Sequence, residues 1–165
     1  MPNIHDWISS SLLTPLLDVI DAQIERLCAE IDLDPSLTDA WLDDVESLMG
    51  LGFVACQQFL VSTYRRFGDD KWVLLAKGPQ HLSGVSYAKV VNAAANFWKH
   101  QGEWVAGSEG GQEASTRAVL DKLFSTRKEY VLGNVLRALV KPEDARFARL
   151  VPWLERWRDS LAAGT

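Results

Sequence analysis

Residues 86–104 read SYAKVVNAAANFWKHQGEW, and the period of their apolar positions decides the fold class. At about 100° per residue, the polar side chains fall within an arc of roughly 100°, while the other positions are aromatic or aliphatic. The pattern predicts an amphipathic helix that begins near Ser83 or Ser86 and is regular as far as Gly102. Its polar stripe consists of Lys89, Asn92, Asn96, Lys99, His100 and Glu103, with Trp104 at the end.

This stripe is the best candidate for a functional site in the sequence. Asn96 and His100 are four residues apart, and His100 and Glu103 are three apart, so the three side chains are predicted to meet. A carboxylate beside an imidazole can fix its tautomer, which suits a general base or a proton-dependent contact. A solvated helix face with an ordinary salt bridge is the simpler alternative. Trp98 is expected in the core, and Trp104 either in the core or in a pocket wall.

The same periodicity extends outward from this helix. Apolar residues recur at three- and four-residue spacing over about 9–32 and 38–66, and helices are also predicted over about 113–125, 128–140 and 143–161. Lys71–Ala76 is ambiguous between a short helix and a buried strand, residues 130–132 have an extended alternative, and Pro152 is expected to split the last helix. The prediction is an all-α, single-domain bundle of five to seven helices over residues 1–165.

Glycines at 50 and 52 interrupt the second predicted helix. Each costs a helix interior about 1 kcal/mol relative to alanine. They indicate either a close contact between helices or a break in the helix.

The composition favours a packed domain, because 47% of the 165 residues are hydrophobic and seven are tryptophans. The net charge of −5 opposes general binding to nucleic acid. The first 50 residues hold eleven acids and one base, whereas the remainder holds eleven acids and sixteen bases. This asymmetry indicates either a surface for a partner or acidic N-terminal helices that pack against basic C-terminal ones.

Several features favour a cytoplasmic protein. The N-terminus lacks the basic and apolar regions of a signal peptide, and no uninterrupted apolar run approaches about 18 residues. Cys28 and Cys56 lie in helical patterns without partners at metal-ligand spacing, so buried, inert thiols are expected, with a disulfide as the alternative.

The sequence does not contain the usual catalytic or cofactor motifs. A Gly-x-Ser-x-Gly elbow, a phosphate loop and a dinucleotide-binding glycine pattern are all missing. His100 and Glu103 supply two metal ligands at most, and His5 and His81 have no ligand spacing. We therefore expect neither a metal site nor a cofactor.

The C-terminal segment mixes arginines with tryptophans, a combination that can bind phosphate and stack on bases. Interleaved acids offset the charge, and an amphipathic helix that packs on the N-terminal helices explains the pattern equally well. The residues are Arg146, Arg149, Arg156 and Arg158, with Trp153 and Trp157.

Residues 96–104 resemble an Asn-aromatic-aromatic-Lys-His-x-x-Glu-Trp pattern of small bacterial helical proteins, and the helical layout is similar to HEPN-like domains. Some HEPN domains are ribonucleases of toxin or defence systems, which usually carry an arginine separated from the histidine by four to six intervening residues. That window holds Ala93, Ala94 and Ala95 before His100, and Leu74, Leu75 and Ala76 before His81. The resemblance implies an all-helical fold, whereas ribonuclease activity does not carry over.

The leading functional prediction is a non-enzymatic binding or interaction protein that uses the stripe to contact a protein or a small ligand. The alternative is an enzyme that acts on RNA or nucleotides, with His100 as base, Glu103 orienting it and Lys99 or Arg65 contacting phosphate. In a third interpretation the stripe is only surface, and the acidic first helix pairs with a partner or a second copy of the chain. No contact with a membrane is expected.

Overall fold

The computed structural model describes residues 10–34, 36, 38–104, 111–124 and 129–163. These ranges contain seven α-helices and no strand beyond one isolated bridge between Gln80 and Ser86, so the all-α prediction is confirmed. The helices are α1 (Ser10–Leu33), α2 (Thr38–Tyr64), α3 (Lys71–Ala76), α4 (Tyr87–His100), α5 (Gly111–Leu120), α6 (Val131–Leu139) and α7 (Val151–Ala162).

Helix α4, which contains most of the quoted stretch, lies at the centre. It packs against α2, α3, α5, α6 and α7, while α1 covers the other side of α2. Ser86 caps its N-terminus by accepting from the Lys89 backbone N–H at 3.2 Å, as one of the two predicted caps. Ala93, Ala94 and Ala95 are buried, and small side chains at these positions let neighbouring helices approach closely. One contiguous apolar cluster includes side chains from all seven helices.

Gly50 and Gly52 mark close contacts and do not break α2. A Cβ atom on Gly50 would collide with the Trp98 ring, and one on Gly52 would lie 2.5 Å from the Phe147 ring. Phe147 is fully buried and packs edge-to-face on Phe53, with ring centroids 5.0 Å apart. Glycine at these two positions therefore allows aromatic rings to reach the α2 backbone.

The ambiguous segment Lys71–Ala76 is a helix, α3. The Asp70 carboxylate caps it by accepting from the Trp72 backbone N–H at 2.7 Å. Leu74 and Leu75 are fully buried, and the Leu74 carbonyl accepts a hydrogen bond from the Trp157 indole at 3.0 Å. One short turn thus buries two leucines and leaves Trp72 on the surface.

Carboxylates of the N-terminal helices hold the ends of C-terminal elements. Asp21 of α1 accepts from the backbone N–H groups of Phe147 and Ala148 at 2.8 and 3.0 Å. Glu46 of α2 accepts from Leu132 and Gly133 at 2.6 and 3.1 Å, at the first turn of α6.

An ion pair also joins the N-terminal and C-terminal parts of the chain: Glu25 of α1 lies 3.0 Å from Arg146. The acidic N-terminal half therefore does pack against the C-terminal half, as one of the two interpretations of the charge asymmetry expected.

The C-terminal boundaries differ from the predicted ones. The helix predicted over 113–125 is Gly111–Leu120, and the one over 128–140 is Val131–Leu139, preceded by Tyr130 in the left-handed region at φ 54°. The segment 143–161 contains two 3₁₀ turns, Pro142–Asp144 and Phe147–Leu150, before α7. Pro152 does not split a helix, since it lies in the first turn of α7, where its missing N–H leaves no bond unmade.

The prediction of two buried thiols is wrong for Cys28, which is exposed, and Cys56 is buried. Leu33 is also exposed, so the last turns of α1 extend beyond the helices that cover its beginning. Both cysteines are free, and burial raises the pKa of the Cys56 thiol well above its usual range.

Within the described ranges, α2 is one helix whose length and apolar composition would suffice to cross a membrane. Just over half of its most apolar window, 56%, is buried against the rest of the protein. This burial fits a core helix. The sequence analysis did not identify α2 as long and apolar enough to cross a membrane, because Gln57 and Gln58 interrupt its apolar run.

We predict that Gly52→Ala destabilises the protein by about 1–3 kcal/mol, because the added methyl overlaps the Phe147 ring. Helix propensity alone would give the opposite sign, a gain of about 1 kcal/mol. Urea denaturation measures the difference. Gly102→Ala is the control, since nothing lies within 4 Å of its Cβ position. A stabilised Gly52→Ala would contradict the close packing.

A second prediction concerns pH. Burial raises the pKa of the Asp21 carboxyl, although the two backbone N–H donors oppose the shift. The folded protein therefore keeps this proton at a pH where the unfolded chain, with a pKa of about 3.9, has lost it. The contribution of Asp21 to the free energy of unfolding thus rises as pH falls through the raised pKa.

The stability difference between wild type and Asp21→Asn should accordingly shift in favour of wild type as pH is lowered from 7 towards 4. Denaturant titrations at several pH values measure this difference, with the exposed Asp44→Asn as the matched control. A difference that moves in the other direction would be inconsistent with the buried carboxyl.

Candidate functional site

The polar stripe of α4 meets one side chain of α2, Gln57. The Gln57 Nε2 group donates to the side-chain oxygens of Asn92 and Asn96, both at 2.9 Å. Its Oε1 accepts from the Lys99 ammonium at 2.7 Å. We call these four residues the amide cluster. Spacings of four and three residues place its α4 members on one face, opposite Gln57.

Because the amide cluster is largely buried, its hydrogen bonds affect how α2 packs against α4. Gln57 is 4% exposed and Asn92 is 8% exposed, so an unpaired amide at either position would carry a desolvation cost of about 1–3 kcal/mol. In the described part of the chain no buried side-chain nitrogen or oxygen lacks a partner. The cluster therefore holds its side chains in single orientations and joins the middle of α2 to the middle of α4.

The orientation of the two asparagines has a chemical consequence. Because their oxygens accept from Gln57, their Nδ2 groups are the ends left for other contacts. Within the described residues these nitrogens make no hydrogen bond, and both side chains line a cavity. They are thus hydrogen-bond donors at the wall of this cavity.

This cavity has a volume of about 630 Å³. Its walls come from the C-terminal half of α2, the start of α3, the amide cluster and the first turns of α5. Every charged side chain in its lining is basic or can become so, and none is acidic. These are Arg65, Lys71, Lys99 and His100. We call it the basic cavity.

The electrostatics of the basic cavity follow from its geometry. Burial lowers the pKa of the Lys99 ammonium, and the charge of Lys71 lowers it further. Neither Arg65, Lys71 nor Lys99 is paired with a carboxylate in the described ranges, and the Lys71 ammonium lies 4.5 Å from the centroid of the Trp72 ring. The cavity lining therefore contains basic side chains and no acid, in a chain whose net charge is −5.

The predicted meeting of Asn96, His100 and Glu103 forms only in part. The His100 Nδ1 atom lies 3.1 Å from a Glu103 oxygen, in the 3₁₀ turn Gln101–Glu103. Asn96 bonds instead to Gln57 of α2. Asn96 and His100 both line the basic cavity, whereas Glu103 is largely exposed and lies outside its lining.

Trp104 and Lys89 separate from the rest of the stripe. Trp104 follows the end of α4 and packs edge-to-face on Phe97 at 5.5 Å, with the Arg117 guanidinium 5.2 Å from its ring, so it lies apart from the amide cluster. Lys89 lines a neighbouring cavity. Trp98 is partly buried against the core, as expected.

The arginines and tryptophans of the C-terminal segment, which the sequence also offers as a phosphate-binding or base-stacking surface, have structural roles. Trp157 is fully buried, and Trp153 stacks on Tyr87 at 4.5 Å with the Arg156 guanidinium 5.0 Å above it. Arg149 and Arg158 pair with Asp144 and Asp159, at 2.5 and 2.9 Å. The arginine and tryptophan pattern is thus explained by packing and local ion pairs.

Within the described residues, His81 belongs to no group of metal ligands. His81 holds the loop before α4, with Nε2 3.0 Å from the Ala138 carbonyl and Nδ1 accepting from the Ser83 N–H at 3.1 Å. His5 lies outside the described residues. Where the chain is described, no three His, Cys, Asp or Glu side chains are grouped as metal ligands.

Sequence reasoning missed Gln57, Lys71 and Trp72. The available signal for Gln57 was an amide within the apolar run FVACQQFL, where a polar residue needs a partner. Lys71 and Trp72 lie in the segment that periodicity left ambiguous. Arg65, which was predicted as a phosphate contact, does share the cavity with Lys99 and His100.

Comparison with protein families, with curated proteins and with solved structures finds no match to this chain.

We predict that Gln57→Leu lowers the free energy of unfolding by about 1–3 kcal/mol, since it leaves Asn92, Asn96 and Lys99 without their shared partner. Denaturant titration measures the loss. Gln58→Leu, the same change at the exposed neighbouring position, should alter stability by no more than about 0.5 kcal/mol. Equal effects at the two positions would show that the cluster contributes nothing.

Proposed function

We propose that the protein is a non-enzymatic binding module that takes a small anionic ligand, through a phosphate or carboxylate group, in the basic cavity. The observation that carries this proposal is the lining itself: three lysine or arginine side chains and a histidine converge there without an acid. An anion in the cavity would offset the mutual repulsion of Lys71 and Lys99.

The donors of the cavity suit an anion with several oxygens. Arg65 offers a planar fork that can bind two oxygens, and Lys99 keeps two protons beyond the one given to Gln57. The Nδ2 groups of Asn92 and Asn96 add neutral donors that Gln57 has already oriented. Such preorganisation reduces the entropy lost when a ligand binds.

One observation favours a second candidate, an enzyme that acts on RNA or nucleotides. His100 shares the cavity with Arg65 and Lys99, as a base beside phosphate contacts would. Against it, Glu103 lies outside the cavity and is exposed, so the proposed orienting group is only loosely held. We therefore place binding first.

A cytoplasmic location is part of the proposal. It is supported by two free thiols, which are typical of reducing compartments, and by the burial of most of the apolar window of α2. A protein partner or a second copy of the chain would need a different surface from this concave one.

We expect inorganic phosphate to bind the full chain, and Lys99→Met to raise its Kd at least about tenfold, because one charge-assisted hydrogen bond is lost. Isothermal titration calorimetry at two salt concentrations measures this. Arg137→Met removes the same charge from an exposed position of α6 and should leave the Kd within twofold. Thermal melts of both variants verify folding.

Equal effects of the two substitutions, or no binding by the wild type, would refute an anion site. The same samples separate the two candidate functions when a nucleotide is added and followed by phosphorus NMR. An unchanged nucleotide supports binding alone, and turnover that is lost in His100→Ala supports the enzyme.

A further inference from the structure

A second cavity, of about 390 Å³, adjoins the basic cavity. Trp72, Asn92, Asn96 and Ser115 line both, so the two are adjoining compartments of one groove between α3, α4 and α5. The second compartment is the more apolar of the two, and we call it the apolar compartment. Its further walls include Val85, Ala93, Ala118 and Val119.

Trp72 lies where the two compartments meet. Its side chain is 46% exposed, although a large aromatic ring is usually covered in a protein of this size. The cap from Asp70 holds its backbone, and the Lys71 ammonium covers a face of the ring from 4.5 Å. An exposed, well-held indole beside a cavity is a surface on which a flat group can stack.

The charges along the groove have one sign. The apolar compartment adds Lys89 and Lys122 to its lining and, like the basic cavity, includes no acid. Lys89 and Lys99 are ten residues apart on α4, which corresponds to about 15 Å along the helix axis. The groove is therefore longer than a single phosphate or carboxylate group needs.

From this arrangement we infer that the ligand is a planar organic anion. Its flat aromatic body lies in the apolar compartment against Trp72, and its phosphate or carboxylate lies in the basic cavity near Lys99 and Arg65. The amide cluster lies between the two, where Asn92 and Asn96 donate to polar atoms that link the aromatic body to the anion. This inference rests on the proposed function and names the class of its ligand.

Calorimetry with four probes tests it on the full chain: inorganic phosphate, phenyl phosphate, adenosine monophosphate and adenosine. We expect at least one of the two aromatic phosphates to bind about tenfold more tightly than inorganic phosphate, since stacking on one aromatic side chain is worth roughly that factor. Adenosine, which lacks the anion, should bind more weakly than adenosine monophosphate.

Two variants locate the aromatic body. Trp72→Ala and Ala118→Leu should each bring the affinity for the aromatic phosphates down to that for inorganic phosphate, the first by removing the stacking surface and the second by filling the compartment. Ala118→Leu, which lies outside the lining of the basic cavity, should leave the Kd of inorganic phosphate within twofold. Val73→Ala, at the next exposed position of α3, is the matched control and should change neither affinity.

The possible failures are distinguishable. If inorganic phosphate binds but neither aromatic phosphate binds more tightly, or if Trp72→Ala and Ala118→Leu leave the aromatic preference intact, this inference is wrong while the anion site stands. If inorganic phosphate does not bind, the proposed function itself fails.

Discussion

The carboxamide of Gln57 is the contact on which the centre of this protein depends. It lies in the most apolar part of α2, where an unpaired amide would be costly, and the stripe of α4 supplies all of its observed partners. The requirement to satisfy one buried group therefore sets the register between the two central helices. Because both asparagine oxygens accept from Gln57, the two asparagine nitrogens are left for contacts at the basic cavity. The same hydrogen bonds therefore join the core helices and shape the candidate site.

Acidic and basic side chains have different roles in this fold. Two acids of the N-terminal helices, Asp21 and Glu46, make internal contacts, where they accept from backbone N–H groups at the starts of C-terminal elements. The lysine and arginine side chains around the amide cluster have no acid beside them in the lining of the basic cavity. A chain that is acidic as a whole thus carries a locally basic groove, because local potential depends on which charges lie nearby and not on their sum.

Much of the architecture could be read from apolar periodicity. Helices α1, α2 and α4 were predicted within about two residues, because each is long and buries one continuous face. The C-terminal segments were less well predicted, since they are short, and their ends are set by contacts such as the one between Glu46 and the first turn of α6. The exposure of Cys28 could not be predicted for a similar reason. The apolar periodicity of α1 continues into its last turns, which extend beyond the helices that cover its beginning.

The sequence by itself determined that the chain is helical and that Asn92, Asn96, Lys99 and His100 lie on one side of one helix, because both follow from a period of 3.6 residues. Only the packing of the helices shows that Gln57 faces them, that Lys71 and Trp72 join them, and that Glu103 and Trp104 do not. Local spacing specifies neighbours along a helix. Which side chains meet across helices depends on how the buried polar groups and the whole apolar surface are satisfied together.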